Sequence, residues 1–295
     1  MILIFFASLN VSGQFISPAS HKLSNLDFDY EPHPFIQQFI NYYQGSGGRS
    51  VMEGYLIRSG RHSEMMRRIF RTEKLPESLI VISNFSIWFN SKGIWLINKE
   101  VAKKHGLRRT IFIDETRSFE RATVIVARHL KFLSEKYDGN WETAIAAYFL
   151  GETTIDGAIK RAKAKNFWSI FHYLPKQSRN FVPNVLASAM IAKDTRLYGF
   201  ENIQPEPPFA YDLVRIPPSI SLDLIAQFSE SNPRNIKRLN PELISTVTPP
   251  ENYIVRLPAE KAYIFIERLQ RYLRDKKVQQ TNKSLNRRLI PEHKK

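Results

Sequence analysis

The stretch Leu75-Pro76-Glu77-Ser78-Leu79-Ile80-Val81-Ile82-Ser83-Asn84-Phe85-Ser86-Ile87-Trp88-Phe89 decides how the first two-thirds of the chain are read. Proline in second place suits the first turn of a helix, where its missing N–H costs nothing. Apolar residues then fall on every side of the run, the mark of a helix surrounded by protein on all faces. The segment is read as a central buried helix.

Before it, Phe35, Phe39, Ile40 and Tyr43 recur at three- and four-residue spacings, and Gly45-Ser46-Gly47-Gly48 closes that helix. Two more helices are expected over residues 52–59 and 63–70. After it, helical patterns cover 98–105, 118–137, 140–150, 154–163, 167–173 and 177–191. No strand-rich segment interrupts the series, so residues 33–200 are expected to form one α-helical domain. Pro205-Glu206-Pro207-Pro208, within a 201–210 linker, is stiff and non-helical.

Beyond the linker the texture changes. Residues 211–216 alternate like a strand, 222–228 and 235–239 read as short helices, and 253–257 reads as a closing strand. That is a βααβ module over residues 211–258. A helix over 259–274 and a basic tail over 275–295, expected to be mobile, complete the chain.

Composition narrows the function. The chain has 295 residues, no cysteine and a formal charge of +15. Absence of cysteine excludes disulfides, thiolate metal sites and a lipoprotein anchor. The charge favours association with a polyanion. Its Lys and Arg residues are dispersed through helices, as at Arg67-Arg68 and Arg108-Arg109, and no zinc-finger, RNA-binding or Walker spacing accompanies them. No nucleic-acid partner is expected. No internal stretch is long and apolar enough for a membrane span. Residues 1–13 run from apolar Ile2–Phe6 to small residues at Val11-Ser12-Gly13, which fits a signal peptide without its basic start or an ordinary buried N-terminus. Residues 14–32, with Pro18 and Pro32, read as an extended leader.

Several blocks, in order, resemble one family. They are His33-Pro34-Phe35 through Tyr42-Tyr43, then Arg58-Ser59-Gly60-Arg61, Leu75-Pro76-Glu77 and Asp114-Glu115-Thr116-Arg117. Asn140-Trp141-Glu142, Ala146-Ala147-Tyr148 and Arg179-Asn180-Phe181-Val182-Pro183-Asn184 follow. Together they resemble the membrane-bound lytic murein transglycosylase D family over about residues 33–200. Leu239-Asn240-Pro241-Glu242-Leu243, Thr248-Pro249-Pro250 and Val255-Arg256-Leu257-Pro258 resemble a divergent LysM module, with Pro217-Pro218-Ser219 replacing its usual glycine-aspartate turn.

The resemblance implies a lysozyme-like helical domain followed by a small carbohydrate-binding module. It also implies export to the periplasm or cell envelope, and peptidoglycan glycan strands or an envelope protein as partner. It implies no cofactor and no metal. Members of such a family cleave glycan strands through one glutamate, which protonates the glycosidic oxygen while the sugar's own 6-hydroxyl closes an anhydro ring. That acid needs a sheltered groove to hold its proton.

Here the motifs depart from the family. The glutamate-serine pair falls on Ser86-Ile87, and serine is no acid near neutral pH. The next motif reads Gly93-Ile94-Trp95-Leu96, with leucine in place of glutamine, and the preceding loop from Asn90 is short. The third reads Ala147-Tyr148-Phe149-Leu150-Gly151-Glu152-Thr153, with Phe149 in place of asparagine. The fourth places Phe181 where a tyrosine is usual. The candidate groove residues are Ser86, Ile87, Gly93, Trp95, Leu96, Tyr148, Phe149, Gly151, Glu152 and Phe181.

Loss of the acid implies an inactive, wall-binding or scaffolding homologue. Glu152 is the substitute acid that an active enzyme would use, ahead of Glu77 and Glu100, which read as helix-end carboxylates. Trp88 and Trp95 could stack on sugars or fill the core. Ser86 could act as a nucleophile only with a base such as His105 beside it. A third reading makes the filled groove a surface for an envelope protein.

Overall fold

A computed structural model describes residues 26–89 and 93–289, without the side chains of 86–89 and 280–289. The expectations for the signal peptide, most of the leader, the loop from Asn90 and the last residues of the tail lie outside this range.

The chain divides into two units. The first takes the residues up to Val101 together with Phe119–Pro208. Its helices are α1 (Pro34–Gln44), α2 (Arg49–Ser59), α3 (Ser63–Thr72), a central 3₁₀ helix (Glu77–Phe89), α4 (Lys99–Lys104, crossing the boundary), α5 (Phe119–Lys136), α6 (Trp141–Leu150), α7 (Glu152–Ala162), α8 (Phe167–Ile170) and α9 (Phe181–Lys193). Local chemistry fixes their ends. His33 Nδ1 accepts from Phe35 N at the start of α1, with Pro34 in the first turn. Asn140 caps α6 through Thr143 N at 2.8 Å. Ile36, Ile40 and Tyr43 line the inner stripe of α1, which packs on α9, where the Tyr43 hydroxyl donates to Asn184 Oδ1 at 2.6 Å.

The central helix sits where the sequence placed it but turns every three residues. Leu79, Ile82 and Phe85 therefore stand in one row, and all three are fully buried. A run this long in three-residue turns is unusual. The sequence accounts for it: Ile80, Val81 and Ile82 are β-branched, and Ser83, Asn84 and Ser86 compete for the backbone, all of which weakens the α form. Its first amides are capped by the Asp27 carboxylate, which accepts from Glu77 N and Ser78 N.

The linker is tied to the first unit. Glu206 N donates to Ile57 O at 2.8 Å, and the Arg61 guanidinium grips the Glu206 carboxylate. A Cβ at Gly60 would stand 2.0 Å from Glu206 O, so only glycine permits this approach.

The second unit contains the expected module. Strands β1 (Tyr211–Ile216) and β2 (Tyr253–Pro258) pair antiparallel with Val214 opposite Val255, and α10 (Leu222–Phe228) and α11 (Pro233–Leu239) lie between them. Ser221 caps α10 and Asn232 caps α11. Asn240 clamps the end of α11 to β2, donating to Arg256 O and accepting from Arg256 N, both at 2.8 Å. Arg256 also forms a buried 2.7 Å ion pair with Glu242. The last helix, α12 (Ala262–Leu289), runs well past Arg274 into the segment read as a mobile tail. Nothing between Ala262 and Leu289 is glycine or proline, and Lys, Gln and Arg sustain a helix well.

One excursion crosses the contiguous division expected from sequence. Residues Ala102–Ser118, within the segment read as the helical domain, belong to the second unit. Ile113 is 1% exposed in its core beside Leu243 and Val255. Ile244 N donates to Phe112 O at 2.9 Å, Asp114 N to Glu242 O at 2.8 Å, and Arg108 to Glu251 at 2.6 Å. Ile113→Ala should therefore destabilise the βααβ module by about 2–5 kcal/mol. Hydrogen exchange would read this as faster exchange at β1 and β2, and unchanged protection there would contradict the assignment.

Candidate active-site region

The candidate motifs converge through aromatic side chains. Tyr148, near the end of α6, is buried and donates its hydroxyl to Leu96 O at 2.6 Å, tying the third motif to the second. Burial pushes its phenol well above the usual tyrosine range. The next residue, Phe149, meets Phe85 edge-on at 6.0 Å and stacks on Phe181 at 5.1 Å with 20° between the rings. Phe85 ends the buried row of the central helix, and Phe181 opens α9. Three segments thus meet in one apolar contact at Phe149. Each aromatic pair of this kind contributes about 0.5–1.5 kcal/mol beyond burial.

Ser86 directly follows Phe85, and in the three-residue register it continues the row of Ile80 and Ser83. The side chains of Ser86 and Ile87 lie outside the described residues. Leu96 and Phe149 border a cavity of about 210 Å³ with Val101, Val126, His129 and Gly151. Its walls are mostly apolar. Gly151, with φ +82°, ends α6 and opens α7 in a conformation suited to glycine.

Trp95 lies apart from this cavity. It is 1% exposed, stacks on Phe70 at 5.9 Å and donates Nε1 to Thr123 Oγ1 at 2.7 Å. Its role is to join the central region to α5. Gly93 and Ile94 border a different cavity, against the α2–α3 turn.

Glu152 opens α7, where a carboxylate is favoured by the helix dipole. Lys136 Nζ lies 2.7 Å from its Oε2 and 2.8 Å from Asp156 Oδ2, and the Tyr137 hydroxyl donates to the same Asp156 at 3.0 Å. The group ties α5 to α7, and Glu152 does not border the cavity next to it. Glu77 pairs with Arg71 at 3.1 Å, and Glu100 is exposed on α4. His105 belongs to the second unit, whereas Ser86 belongs to the first. Among the described residues no three metal-ligating side chains gather, and no helix is long and apolar enough to cross a membrane.

Sequence reasoning quoted Glu142 only as part of a matching block. In the structure it is 3% exposed, with Oε1 accepting from Trp168 Nε1 at 2.9 Å and Glu31 N at 3.4 Å. Burial pushes this carboxyl up to about 7. Aromatic rings surround it: His33 stacks on Trp168 at 3.6 Å, and Phe28 leans on Trp141 at 6.2 Å. The signal was present as a lone acid at the start of the apolar helix Trp141–Leu150. First-turn acids are common for dipole reasons, so position alone did not mark it.

Comparison with known proteins now applies to these elements. Residues 69–171 match the family described as Transglycosylase SLT domain, and residues 210–273 match that described as Lytic transglycosylase MltD, LysM-like domain. The chain joins an SLT transglycosylase domain to an MltD-type LysM-like domain. The SLT match takes in the first three motifs, from Ser86 to Thr153, and Phe181 lies just beyond it. It also spans the excursion 102–118, which packs with the LysM-like domain.

Two curated relatives, both membrane-bound lytic murein transglycosylase D, come from Escherichia coli strains K12 and O6:H1. Each is 28% identical over 155 residues, covering 51% of this chain and 34% of the relative. The aligned region thus spans about a third of the relatives' length. A solved structure of an inactive mutant of lytic transglycosylase Slt from Pseudomonas aeruginosa aligns at a TM-score of 0.38 with 20% identity. That alignment covers 50% of this chain and 25% of the other.

The buried Glu142 predicts a pH-dependent stability for the first unit. Its folded carboxyl holds a proton more tightly than the ordinary value of 4.5 allows, so its stabilising contribution is fully present below about 4.5 and lost as pH rises through about 7. The loss is on the order of 3 kcal/mol. Denaturant unfolding at pH 5 and pH 8 should show this fall, with Glu31 and His33 as the neighbouring titratable groups. Glu142→Gln, which keeps an oxygen for Trp168, should flatten the profile; an unchanged slope would refute the assignment.

Proposed function

We propose that this protein is a cell-envelope homologue of the lytic transglycosylases that binds peptidoglycan without cleaving it. The SLT and LysM-like domains support the envelope and the wall polymer as its setting. The contact of Phe149 with Phe181 and Phe85 carries the proposal of inactivity. Phe149 and Phe181 stand at motif positions where the resembled family has asparagine and tyrosine, and Phe85 directly precedes Ser86, which stands at the position of the glutamate.

The chemistry follows from those replacements. Breaking a glycosidic bond requires a proton on the departing oxygen, and losing the general acid typically costs on the order of 10²–10⁴ in rate. An asparagine or tyrosine would orient sugar hydroxyls, whereas phenyl rings offer them no hydrogen bond, so each buried hydroxyl would cost about 1–3 kcal/mol. The tie of Glu152 to Lys136 supports a structural role for that carboxylate. The LysM-like domain, together with the +15 charge, then supplies attachment to a wall that carries carboxylates.

Purified protein incubated with murein sacculi should pellet with them and release no anhydro-sugar products detectable by chromatography. Glu152→Gln should leave that null result unchanged. Release of anhydro products by the native chain would end the proposal, and its loss in Glu152→Gln would assign the acid role to Glu152. Pelleting from envelope extract only together with a protein, and not with clean sacculi, would favour an envelope-protein partner instead.

A further inference from the structure

The last helix, α12, has one face that packs on the second unit and one that stays in solvent. Its start is fixed by Ala262 N, which donates to Asp212 Oδ2 at 2.8 Å. Phe265 and Leu269 enter the core of that unit, and the Tyr272 ring meets Phe228 at 5.7 Å. On the same side Arg268 pairs with Glu230 at 2.8 Å. These contacts set the rotation of the helix about its own axis.

The outward face is thereby defined. Tyr263 is 83% exposed, Val278 58%, Ile266 40% and Leu273 37%. At about 100° per residue, these four fall within about 140° of the helix circumference. Arg274 and Lys277 lie inside the same arc, so apolar and cationic groups are interleaved along it. The acid in that arc, Glu267, is held by Arg271 at 2.8 Å. From Leu273 to Gln279 every side chain is exposed. Over its full length α12 carries eight basic and two acidic residues, and within it no acid follows Asp275.

Three kinds of occupant suit an exposed helix face in principle. A second copy of α12 needs apolar residues recurring in a continuous seam, but seven residues after Ile266 and Leu273 stands Gln280. A hydrated polyanion satisfies the cations and leaves Ile266, Leu273 and Val278 in water. An anionic lipid surface uses both sets: headgroup charges pair with Arg and Lys, while the aliphatic and tyrosine side chains sink to the acyl boundary. Among the described residues no helix is long and apolar enough to cross a membrane, so such a helix lies along the surface.

We propose that the outward face of α12 docks on an anionic phospholipid surface. Tyr263, Ile266, Leu273 and Val278 enter the interface, and Arg274 and Lys277 pair with the headgroups. The contact needs lipid and no glycan, so it stands or falls separately from wall binding.

Flotation of the full chain with vesicles tests this, comparing phosphatidylcholine alone with phosphatidylcholine containing about 30% phosphatidylglycerol. The native protein should float with the anionic vesicles, stay below with the neutral ones, and bind less as salt rises. Arg274→Ala combined with Lys277→Ala should weaken binding about 25-fold, at roughly fivefold per cation. Leu273→Ser combined with Val278→Ser should weaken it at least about tenfold. All four substitutions replace exposed side chains, and native circular dichroism checks that each variant is folded. Failure of the native chain to float with anionic vesicles, or equal flotation with neutral ones, overturns the proposal. Linear polyphosphate is the lipid-free control. If the native chain binds it, and the Leu273→Ser, Val278→Ser variant floats with anionic vesicles as well as the native chain does, the occupant is a polyanion and the lipid site is refuted.

Discussion

The contact among Phe85, Phe149 and Phe181 is the constraint on which the functional account rests. It joins the end of the central helix, the end of α6 and the start of α9, the three segments that carry the glutamate, asparagine and tyrosine of the resembled family. Here they close on each other through rings, which need no partner and gain from exclusion of water. The ring contacts therefore add cohesion where the three segments meet.

The surrounding scaffold is tied together by buried polar contacts. Tyr148 bonds Leu96 O, Trp95 bonds Thr123, and Gly151 turns the chain between α6 and α7. These groups are held by burial and backbone geometry, with no role for a substrate required. The central helix, in three-residue turns, keeps Leu79, Ile80, Val81, Ile82 and Phe85 in the core, while Ser83 and Asn84 border a cavity against the α2–α3 turn.

Much of the fold was legible because it depends on local periodicity. Pro76 and the apolar run after it located the central helix, and the alternation of residues 211–216 located the first strand. The three-residue pitch was not legible, because an all-round apolar run looks alike in either helix form. The excursion 102–118 was hidden for a different reason: Phe112 and Ile113 are apolar, but nothing in their order says which of two cores they enter. The helical continuation past Arg274 is not legible in the sequence, because a basic, polar composition reads as solvated tail even where no helix breaker interrupts it. At the candidate site the sequence proposes Phe149 and Phe181 as motif positions, whereas their mutual stacking appears only in the structure. Glu142 needed coordinates, since burial alone separates it from an ordinary first-turn acid.

The most direct measurement is a crystal structure of the native chain soaked with a peptidoglycan tetrasaccharide. The account predicts that Phe149 and Phe181 stay stacked and that no sugar ring occupies the space beside Ser86. A saccharide seated between the end of the central helix and α6, with the rings parted and a carboxylate within hydrogen-bond reach of its glycosidic oxygen, would contradict it.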